Sequence, residues 1–329
     1  MSAVRLLDID PKTYVPHVIH SDKQVWNETN CFVDLWLELL HGMGHEPIAC
    51  LPFTVTMDLE GDQWTFYKFP LEDIAALYGL EVIELNIWWS LIKHVEAELR
   101  AGRPVMVEFD AWYLPDTAGT SYRTQHVKTS VAVSMLDIEN KRMGYFHSSG
   151  YHVLEGEDFV GVFRLDSEKW GVEHLPPYVE VAKREWEKKL PEAELVQLSL
   201  GLLKKHLKHL PKSNPFTRYK ARFERDLAWV NEGGMNAFYA YAFATLRQIG
   251  SCFELLATYL RWAEARGVEG LEDAAKDFTA ISDGAKSMQF KLARAVGGKR
   301  AIDHAALIGV MESAWGSGME RLVARFGEG

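Results

Sequence analysis

The pattern of apolar residues changes near residue 175, and this change constrains the fold more than any other feature of the sequence. Before it, short apolar runs alternate with turn residues, as in an α+β domain. The predicted strands span 104–109, 130–136, 142–147 and 161–165, and the predicted helices span Cys31–His41 and about 88–101. After it every segment is predicted to be helical. These helices span 178–189, 192–209, 215–230, 236–266, 272–296 and 300–326. We therefore expect an α+β domain over residues 1–175 and an all-α helical bundle domain over residues 176–329.

Charge and cysteine content exclude several classes of partner. A formal net charge of −10 leaves no basic field that would hold nucleic acid. No apolar run approaches the length of a membrane span, and the N-terminus MSAVRLLDIDPK lacks the apolar core of a signal peptide. Cys31, Cys50 and Cys252 are widely spaced and form no CxxC pair, which argues against a disulfide framework or a thiolate zinc site. We expect a protein of the reducing cytoplasm that binds neither nucleic acid nor membranes.

One cysteine stands at the start of an amphipathic helix. Cys31 opens the apolar pattern of ETNCFVDLWLELLHGMG, and Thr29 or Asn30 can cap this helix. Unpaired backbone N–H groups and the positive end of the helix dipole favour a thiolate at that position, which makes Cys31 a candidate nucleophile. The alternative is a small apolar residue on the buried face of the helix, where free cysteines usually lie.

A nucleophilic cysteine requires a base, a group that orients the base, and donors to an oxyanion. His126, at the start of the strand-like run HVKTSVAVSML, is the predicted base. Gln24, seven residues before Cys31, is predicted to donate to the oxyanion together with the Cys31 backbone N–H. The competing donors are Asn27 and Asn30. The orienting residue is left open. The candidates are Asp137, His147 and Ser148.

Residues 24–165 resemble a papain-like cysteine fold of the kind found in the acyltransferase of butirosin biosynthesis and, more distantly, in bacteriocin-processing peptidases. The resemblance is carried by the motif NC at the helix start and by the segment Asp110–Pro115. It implies an N-terminal helix packed on an antiparallel sheet. It also implies transfer of an acyl or aminoacyl group from a carrier-protein pantetheine thioester to the cysteine and then to an amine. No cofactor is expected, because the pantetheine belongs to the carrier.

Several segments also resemble an uncharacterised bacterial family of similar length. They are NCFVDLWLELLHGMGHEP, LEGDQWTFYKFP, GRPVMVEFDAWYLPDT, QHVKTS and GYFHSSGYHVLEGEDF, together with ATLRQIGSCFELLATYLRWA and KSMQFKLARAV in the helical half. This second resemblance covers nearly the whole chain and implies no activity.

Polar residues around two aromatic segments are candidates for substrate contacts. The segment DLEGDQW (Asp58–Trp64) gathers three carboxylates around a glycine turn, which suits an aminoacyl ammonium group or a divalent cation. A solvated turn is the favoured alternative, and the spacing does not match an EF-hand. The segment DAWYLPD places a carboxylate on each side of Tyr113, and a capped turn would explain it equally. The predicted substrate-binding residues are Asn30, Asp62, Gln63, Asp110, Tyr113 and Asp116. The histidines and carboxylates lack metal-ligand spacing, so no metal is predicted.

Basic residues are concentrated between Leu195 and Phe223, a run that contains no acidic residue. They are Lys204, Lys205, Lys208, Lys212, Arg218, Lys220 and Arg222. In a protein of net charge −10 this asymmetry favours docking of an acidic partner such as an acyl carrier protein, and the predicted docking residues are Lys204, Lys205, Lys208 and Lys212. The alternative is a solvated helix face.

These observations predict a papain-like cysteine acyltransferase that acts on a carrier-protein thioester and an amine acceptor. A thiol suits this reaction because the acyl-enzyme is itself a thioester, so little free energy is lost before the amine attacks. Breaking an amide would demand strong protonation of the leaving group. Two other functions stay open. They are a cysteine amidase or peptidase, and a catalytically inactive scaffold that binds a carrier protein or an enzyme.

Overall fold

The structure is a computed structural model that describes residues 3–166, 176–298 and 302–327. The chain divides into two compact units whose segments interleave along the sequence. The first unit comprises Met1–Val18, Asn30–Pro47 and Leu71–Lys189, and the second comprises Ile19–Thr29, Ile48–Pro70 and Leu190–Gly329. The predicted domain boundary at residue 175 lies outside the described residues.

The first unit is built on a seven-stranded antiparallel sheet. The strands of the chain are β1 (Val4–Arg5), β2 (Leu59–Glu60), β3 (Gln63–Trp64), β4 (Glu81–Glu84), β5 (Val105–Asp110), β6 (Lys128–Asp137), β7 (Arg142–His147), β8 (Gly150–Glu155) and β9 (Val179–Lys183). Their order in the sheet is β4-β9-β5-β6-β7-β8, and β1 pairs with the end of β6. β2 and β3 form a separate hairpin in the second unit.

The helices differ in number and length between the two units. They are α1 (Cys31–Gly42), α2 (Leu71–Tyr78), α3 (Leu91–Arg100), α4 (Gly156–Val162), α5 (Glu192–Leu207), α6 (Pro215–Tyr241), α7 (Arg247–Glu264), α8 (Glu272–Gly298) and α9 (His304–Phe326). A π-helical turn at Ala242–Leu246 joins α6 to α7. The prediction of an α+β region followed by an all-helical region is therefore confirmed. Among the described residues, no helix combines the length and the apolar character that a membrane crossing requires.

The two faces of the sheet carry different helices. Alternate residues of β5, β6 and β7, among them Val107, Val131 and Tyr145, form one apolar cluster with α3 and α4. Met106, Ala132 and Phe146 stand opposite one another on the other face, where α1 packs against β6 and β7. A Cβ atom built on Gly42 would lie 2.7 Å from the Phe146 ring, so this glycine allows α1 to approach the sheet closely.

The second unit is a bundle of long helices around α7. Ile249, Phe253, Leu256 and Leu260 of α7 are fully buried, and α7 packs against α8, which in turn packs against α9. The predicted helix at 236–266 is formed by the end of α6, the π-helical turn and α7. Gly234 (φ 61°, ψ −147°) interrupts the helical backbone of α6. The apolar circumference of 236–266 thus marks the centre of the bundle, as the sequence predicts.

Two predicted elements are wrong. The sequence predicts a strand over residues 161–165, but α4 extends to Val162 and Phe163 is its C-cap. The side chains of Val162 and Phe163 are buried, as they would be in a strand. Tyr178–Lys189 was expected to be helical, but it contains β9, which fills the gap between β4 and β5. Val179 and Val181 alternate into the core there, a period-two pattern that the surrounding charged residues obscure. The first residues of the predicted helix 300–326 lie outside the described residues.

Candidate functional site

Cys31 occupies the first position of α1, as the sequence predicts, and it is the accessible cysteine of the chain. Its side chain is partly exposed, whereas Cys50 and Cys252 are buried. Asn30 is the N-cap, because its side-chain oxygen accepts a hydrogen bond of 3.0 Å from the Val33 backbone N–H. Asn30 is itself buried, so capping employs the side chain that was predicted to bind substrate.

Contacts near the end of α1 fix its direction across the sheet. Gly42 lies against Phe146, which pairs with the middle of β6. Three residues further on, His45 Nε2 lies 3.0 Å from Glu187 Oε1, just beyond β9. The last residues of β9 pair beside the first residues of β5, so this end of the sheet is where β5 starts. The N-terminal turn of α1, with Cys31, is therefore directed toward the end where β5 finishes and β6 begins.

A histidine–aspartate pair stands at that end. His126 Nδ1 lies 2.7 Å from Asp110 Oδ2, and the Trp112 backbone N–H donates a 3.0 Å bond to Asp110 Oδ1. The Trp112 ring also stacks on the His126 ring, with 4.5 Å between centroids and an 8° angle between planes. Both carboxylate oxygens of Asp110 are thus engaged, and the imidazole is held by a hydrogen bond and a stacked ring. His126 Nε2 is left for another partner.

The strand register places this pair on the same face as α1. Met106 of β5 stands opposite Ala132 of β6, which stands opposite Phe146, the residue that contacts α1. Side chains alternate between faces along a strand, so Asp110, four residues after Met106, projects on this face as well. His126 is placed on this face too, because its Nδ1 is hydrogen-bonded to Asp110.

A cavity of about 320 Å³ adjoins Asp110. Asp110 and Tyr113 line it together with the backbone of α4, and Trp88 and Trp89 stand exposed at its rim. Gly161 lies so close to the Tyr113 ring that a Cβ atom there would overlap it. Tyr113, predicted to bind substrate, is therefore fixed in the wall of a cavity on the α4 side of the sheet, the face opposite α1.

His147 belongs to a different, buried network. His147 Nδ1 and the Tyr145 hydroxyl both bind the Asp116 carboxylate, and Thr129 Oγ1 lies 2.8 Å from His147 Nε2. Burial acts to raise the pKa of Asp116, but the hydrogen bond and charge of His147 outweigh it and hold this pKa below its usual value. Burial and the Asp116 charge raise the pKa of the Tyr145 phenol, so it remains a donor. Tyr145 is part of the α3/α4 core, so this network lies on the face opposite α1.

The remaining candidates for orienting His126 lie away from it. Asp137 is the last residue of β6, at the far end of the strand from His126, and its Oδ2 accepts a 2.8 Å bond from the Asn140 side chain. That hydrogen bond lowers the pKa of the Asp137 carboxyl. Ser148 (φ 47°) forms the turn between β7 and β8. The residue beside His126 is instead Asp110, which the sequence predicted only as a substrate contact.

Three of the predicted catalytic and substrate-binding residues, Gln24, Asp62 and Gln63, lie in the second unit. The Gln24 backbone N–H closes a turn onto Ser21 O at 3.0 Å. Asp62 and Gln63 belong to the turn and second strand of the β2–β3 hairpin, where they line a separate cavity of that unit. The structure thus gives Asp62 and Gln63 a pocket of their own within the second unit.

Part of the basic run is neutralised by acidic residues, two of them from other elements and one from α6 itself. Arg218 pairs with Asp58, and Lys220 lies 3.6 Å from Glu312. Arg222 pairs with Asp226. The predicted docking lysines lie at and beyond the end of α5. Lys204, Lys208 and Lys212 are exposed and Lys205 is partly buried.

No group of three or more histidine, cysteine or carboxylate residues with metal-binding geometry is present in the part of the chain that the structure describes. The candidate groups are instead the Cys31 thiol at the start of α1 and the bonded pair of the His126 imidazole and the Asp110 carboxylate. This set fits proton transfer and nucleophilic attack.

The fold and the site together define a two-unit protein with an α+β N-terminal region, in which a cysteine-bearing helix and a histidine–aspartate pair share one sheet face, and an all-helical C-terminal domain. The chain belongs to the DUF1839 family. The DUF1839 N-terminal domain matches residues 15–184 and the DUF1839 C-terminal domain matches residues 192–324. The predicted resemblance to an uncharacterised family is thereby confirmed, and these matches carry no link to the butirosin acyltransferase. The comparison with curated proteins found no match.

Proposed function

We propose that the protein is a papain-like cysteine acyltransferase. In this proposal Cys31 takes an acyl or aminoacyl group from a pantetheine thioester and passes it to an amine. The observation that carries the proposal is the 2.7 Å hydrogen bond between Asp110 and His126, on the sheet face and at the sheet end toward which the N-terminal turn of α1 is directed. A thiol at a helix start, an imidazole and an orienting carboxylate are the parts that cysteine acyl transfer requires.

Each residue has a defined task in the proposed reaction. Asp110 holds the Nδ1–H of His126, so Nε2 accepts the proton of the Cys31 thiol. The Cys31 sulfur attacks the thioester carbonyl, the bond from carbonyl carbon to donor sulfur breaks, and His126 returns the proton to the leaving thiol. The acceptor amine then attacks the acyl-enzyme, His126 takes the proton of the amine, and an amide and the free Cys31 thiol result. The Cys31 backbone N–H is proposed to donate to the oxyanion.

The surface charge of the second unit supports a carrier-bound donor. The 320 Å³ cavity beside Asp110 and Tyr113 lies against α4, on the sheet face opposite α1, so the acyl group is not assigned to it. Lys204, Lys208 and Lys212 present positive charge on an acidic protein and are proposed to dock the acyl carrier protein. Three free cysteines support the expectation of a reducing cytoplasm.

The test is intact-protein mass spectrometry after mixing the full chain with a panel of aminoacyl-pantetheine thioesters. We expect an adduct of the acyl mass on the wild-type protein and none on Cys31→Ala. The Cys50→Ala variant, which alters a buried cysteine, should still form the adduct. Absence of an adduct with every donor, combined with slow alkylation of Cys31 by iodoacetamide, would overturn the proposal in favour of the binding scaffold.

A matched pair of carboxylate variants tests the orienting role of Asp110. Asp110→Asn removes the acceptor that fixes the His126 tautomer and should slow acylation at least about tenfold. Asp137→Asn changes a partly exposed carboxylate at the other end of β6 and should leave the acylation rate unchanged. The opposite pattern would assign the orienting role to Asp137.

Substrate profile separates transfer from amide hydrolysis. We expect turnover to require a thioester donor and an amine acceptor, with an amide as the product. Rapid hydrolysis of simple amides without a carrier-bound donor would identify a cysteine amidase or peptidase instead.

A further inference from the structure

A second cavity lies within the second unit, is lined by neither Cys31 nor His126, and has no part in the acyl transfer proposed above. It measures about 640 Å³. The β2–β3 hairpin forms one wall, the middle of α6 a second, and the π-helical turn with the start of α7 a third. π-helical turns strain the backbone hydrogen-bond ladder and are frequent at functional sites.

A buried amide without a partner faces this cavity. Gln248 is 2% exposed, and its Oε1 atom has no hydrogen-bond partner within the described part of the chain. Leaving a buried polar group unpaired costs about 1–3 kcal/mol, so such groups normally have a partner. A carboxamide offers a donor beside an acceptor, and it therefore matches a ligand edge that carries the same pair in reverse.

Exposed aromatic rings surround the entrance. Phe66, Trp229 and Phe243 line the cavity, and each is between 47% and 57% exposed. Large apolar rings left in water at the mouth of one cavity indicate a surface that a flat apolar ligand covers. Aromatic side chains of this kind provide stacking platforms for planar heterocycles.

The charges in the cavity leave one arginine available. Asp226 is engaged by Arg222 Nε at 3.0 Å and by the Tyr241 hydroxyl at 3.2 Å. Asp62, at the rim, lies 3.8 Å from Arg222. Arg225 lines the same cavity, is exposed, and makes no ion pair within the described residues. An unpaired guanidinium beside neutralised acids favours an anionic group on the ligand.

We propose that this cavity binds a nucleoside monophosphate. The base stacks on Trp229 and Phe243 and pairs its edge with the Gln248 amide, and Arg225 binds the phosphate. The three features coincide in one cavity, and a nucleotide combines a flat ring, an edge with adjacent donor and acceptor, and an anion. The side-chain contacts replace a glycine-rich phosphate loop, which the sequence lacks.

Isothermal titration calorimetry of the full chain with AMP, GMP, CMP and UMP tests the site. At least one of the four should bind with a dissociation constant below 1 mM, roughly the weak end of specific recognition. The matching nucleoside and ribose 5-phosphate should each bind at least about tenfold more weakly, since each lacks one of the two anchors. Failure of all four to bind, or equal binding of ribose 5-phosphate, would overturn the proposal. Neither result bears on acylation of Cys31.

Three variants locate the binding. Arg225→Gln should weaken the nucleotide about tenfold and leave the nucleoside unchanged. Gln248→Leu should weaken the nucleotide about tenfold or more and leave ribose 5-phosphate unchanged. Trp229→Ala alters an exposed side chain, so it should keep the fold and still weaken binding. Arg294→Gln, an exposed arginine of α8 outside the cavity, is the control. Binding that survives both Arg225→Gln and Trp229→Ala would place the ligand elsewhere and refute the assignment.

Discussion

Removal of the Asp116 carboxylate should destabilise the first unit more than any other change in its polar network. Asp116 and His147 have side chains only 6% and 5% exposed, and Tyr145 is fully buried. Asp116→Ala leaves the Tyr145 hydroxyl and the His147 Nδ1–H without an acceptor. Each orphaned buried donor costs about 1–3 kcal/mol, so the expected loss in unfolding free energy is about 4 kcal/mol.

Tyr145→Phe is the reference variant with which the loss of unfolding free energy in Asp116→Ala is compared. It removes one of the two donors, while His147 continues to bind Asp116 and Thr129. No buried charge is left without a partner. The expected loss of unfolding free energy is therefore only about 1 kcal/mol.

Urea unfolding of the two variants and the wild type measures the free energies, and hydrogen exchange read by mass spectrometry assigns them to a unit. Peptides from β6 and β7 should exchange faster in Asp116→Ala, whereas peptides from α7 and α8 serve as the internal reference and should not change. A loss for Asp116→Ala no greater than that for Tyr145→Phe would refute the account of Asp116 as the centre of the network.

Two further predictions concern backbone positions. Gly79→Ala should cost at least about 2 kcal/mol of stability, because Gly79 has φ +68° and a Cβ atom would overlap the Trp186 carbonyl oxygen. Gly61→Ala, at φ +63° in open space, should cost about 1 kcal/mol, and urea midpoints compare the two. Asn30→Ala should cost about 1 kcal/mol through loss of the α1 cap, whereas Asn30→Ser should retain most of it. An equal loss in both Asn30 variants would show that the side chain does more than cap.

Secondary structure was predictable wherever one period dominated a long segment. Residues 192–207 and 272–298 fold as the helical periodicity indicates. β9 was not predicted, because its five residues alternate valine with charged or small residues. Their strand conformation depends on insertion between β4 and β5. Those partners lie about 75 to 100 residues earlier in the chain, so the decisive interactions are tertiary and override local preference.

The sequence predicts which residues belong to the candidate site better than it predicts which of them contact one another. The position of Cys31 at the start of α1 follows from local pattern, and so does His126 just before β6. The partnership of His126 with Asp110 does not, because it depends on the pairing of Asp110 with Lys128 and on the fold of the loop between the strands. Asp137 is closer to His126 in sequence than Asp110 is, yet it is the last residue of β6, so the length of that strand separates Asp137 from His126. A register argument for β5 and β6 would have found Asp110, since the end of one strand meets the start of the next in a hairpin.

The response of the first unit to acid follows from the same buried carboxylate. The pKa of Asp116 is depressed in the folded protein because the His147 hydrogen bond and charge outweigh burial. A depressed carboxyl pKa contributes stability that is present above the unfolded-state value of about 4 and is lost as the pH falls through the folded-state value. Urea midpoints of wild type and Asp116→Asn, measured between pH 5 and pH 3, should therefore differ most at pH 5 and converge as the pH falls below about pH 4. The other carboxylates titrate in both proteins and largely cancel in the difference. A difference that persisted unchanged to pH 3 would show that the ionised form of Asp116 is not what stabilises the fold.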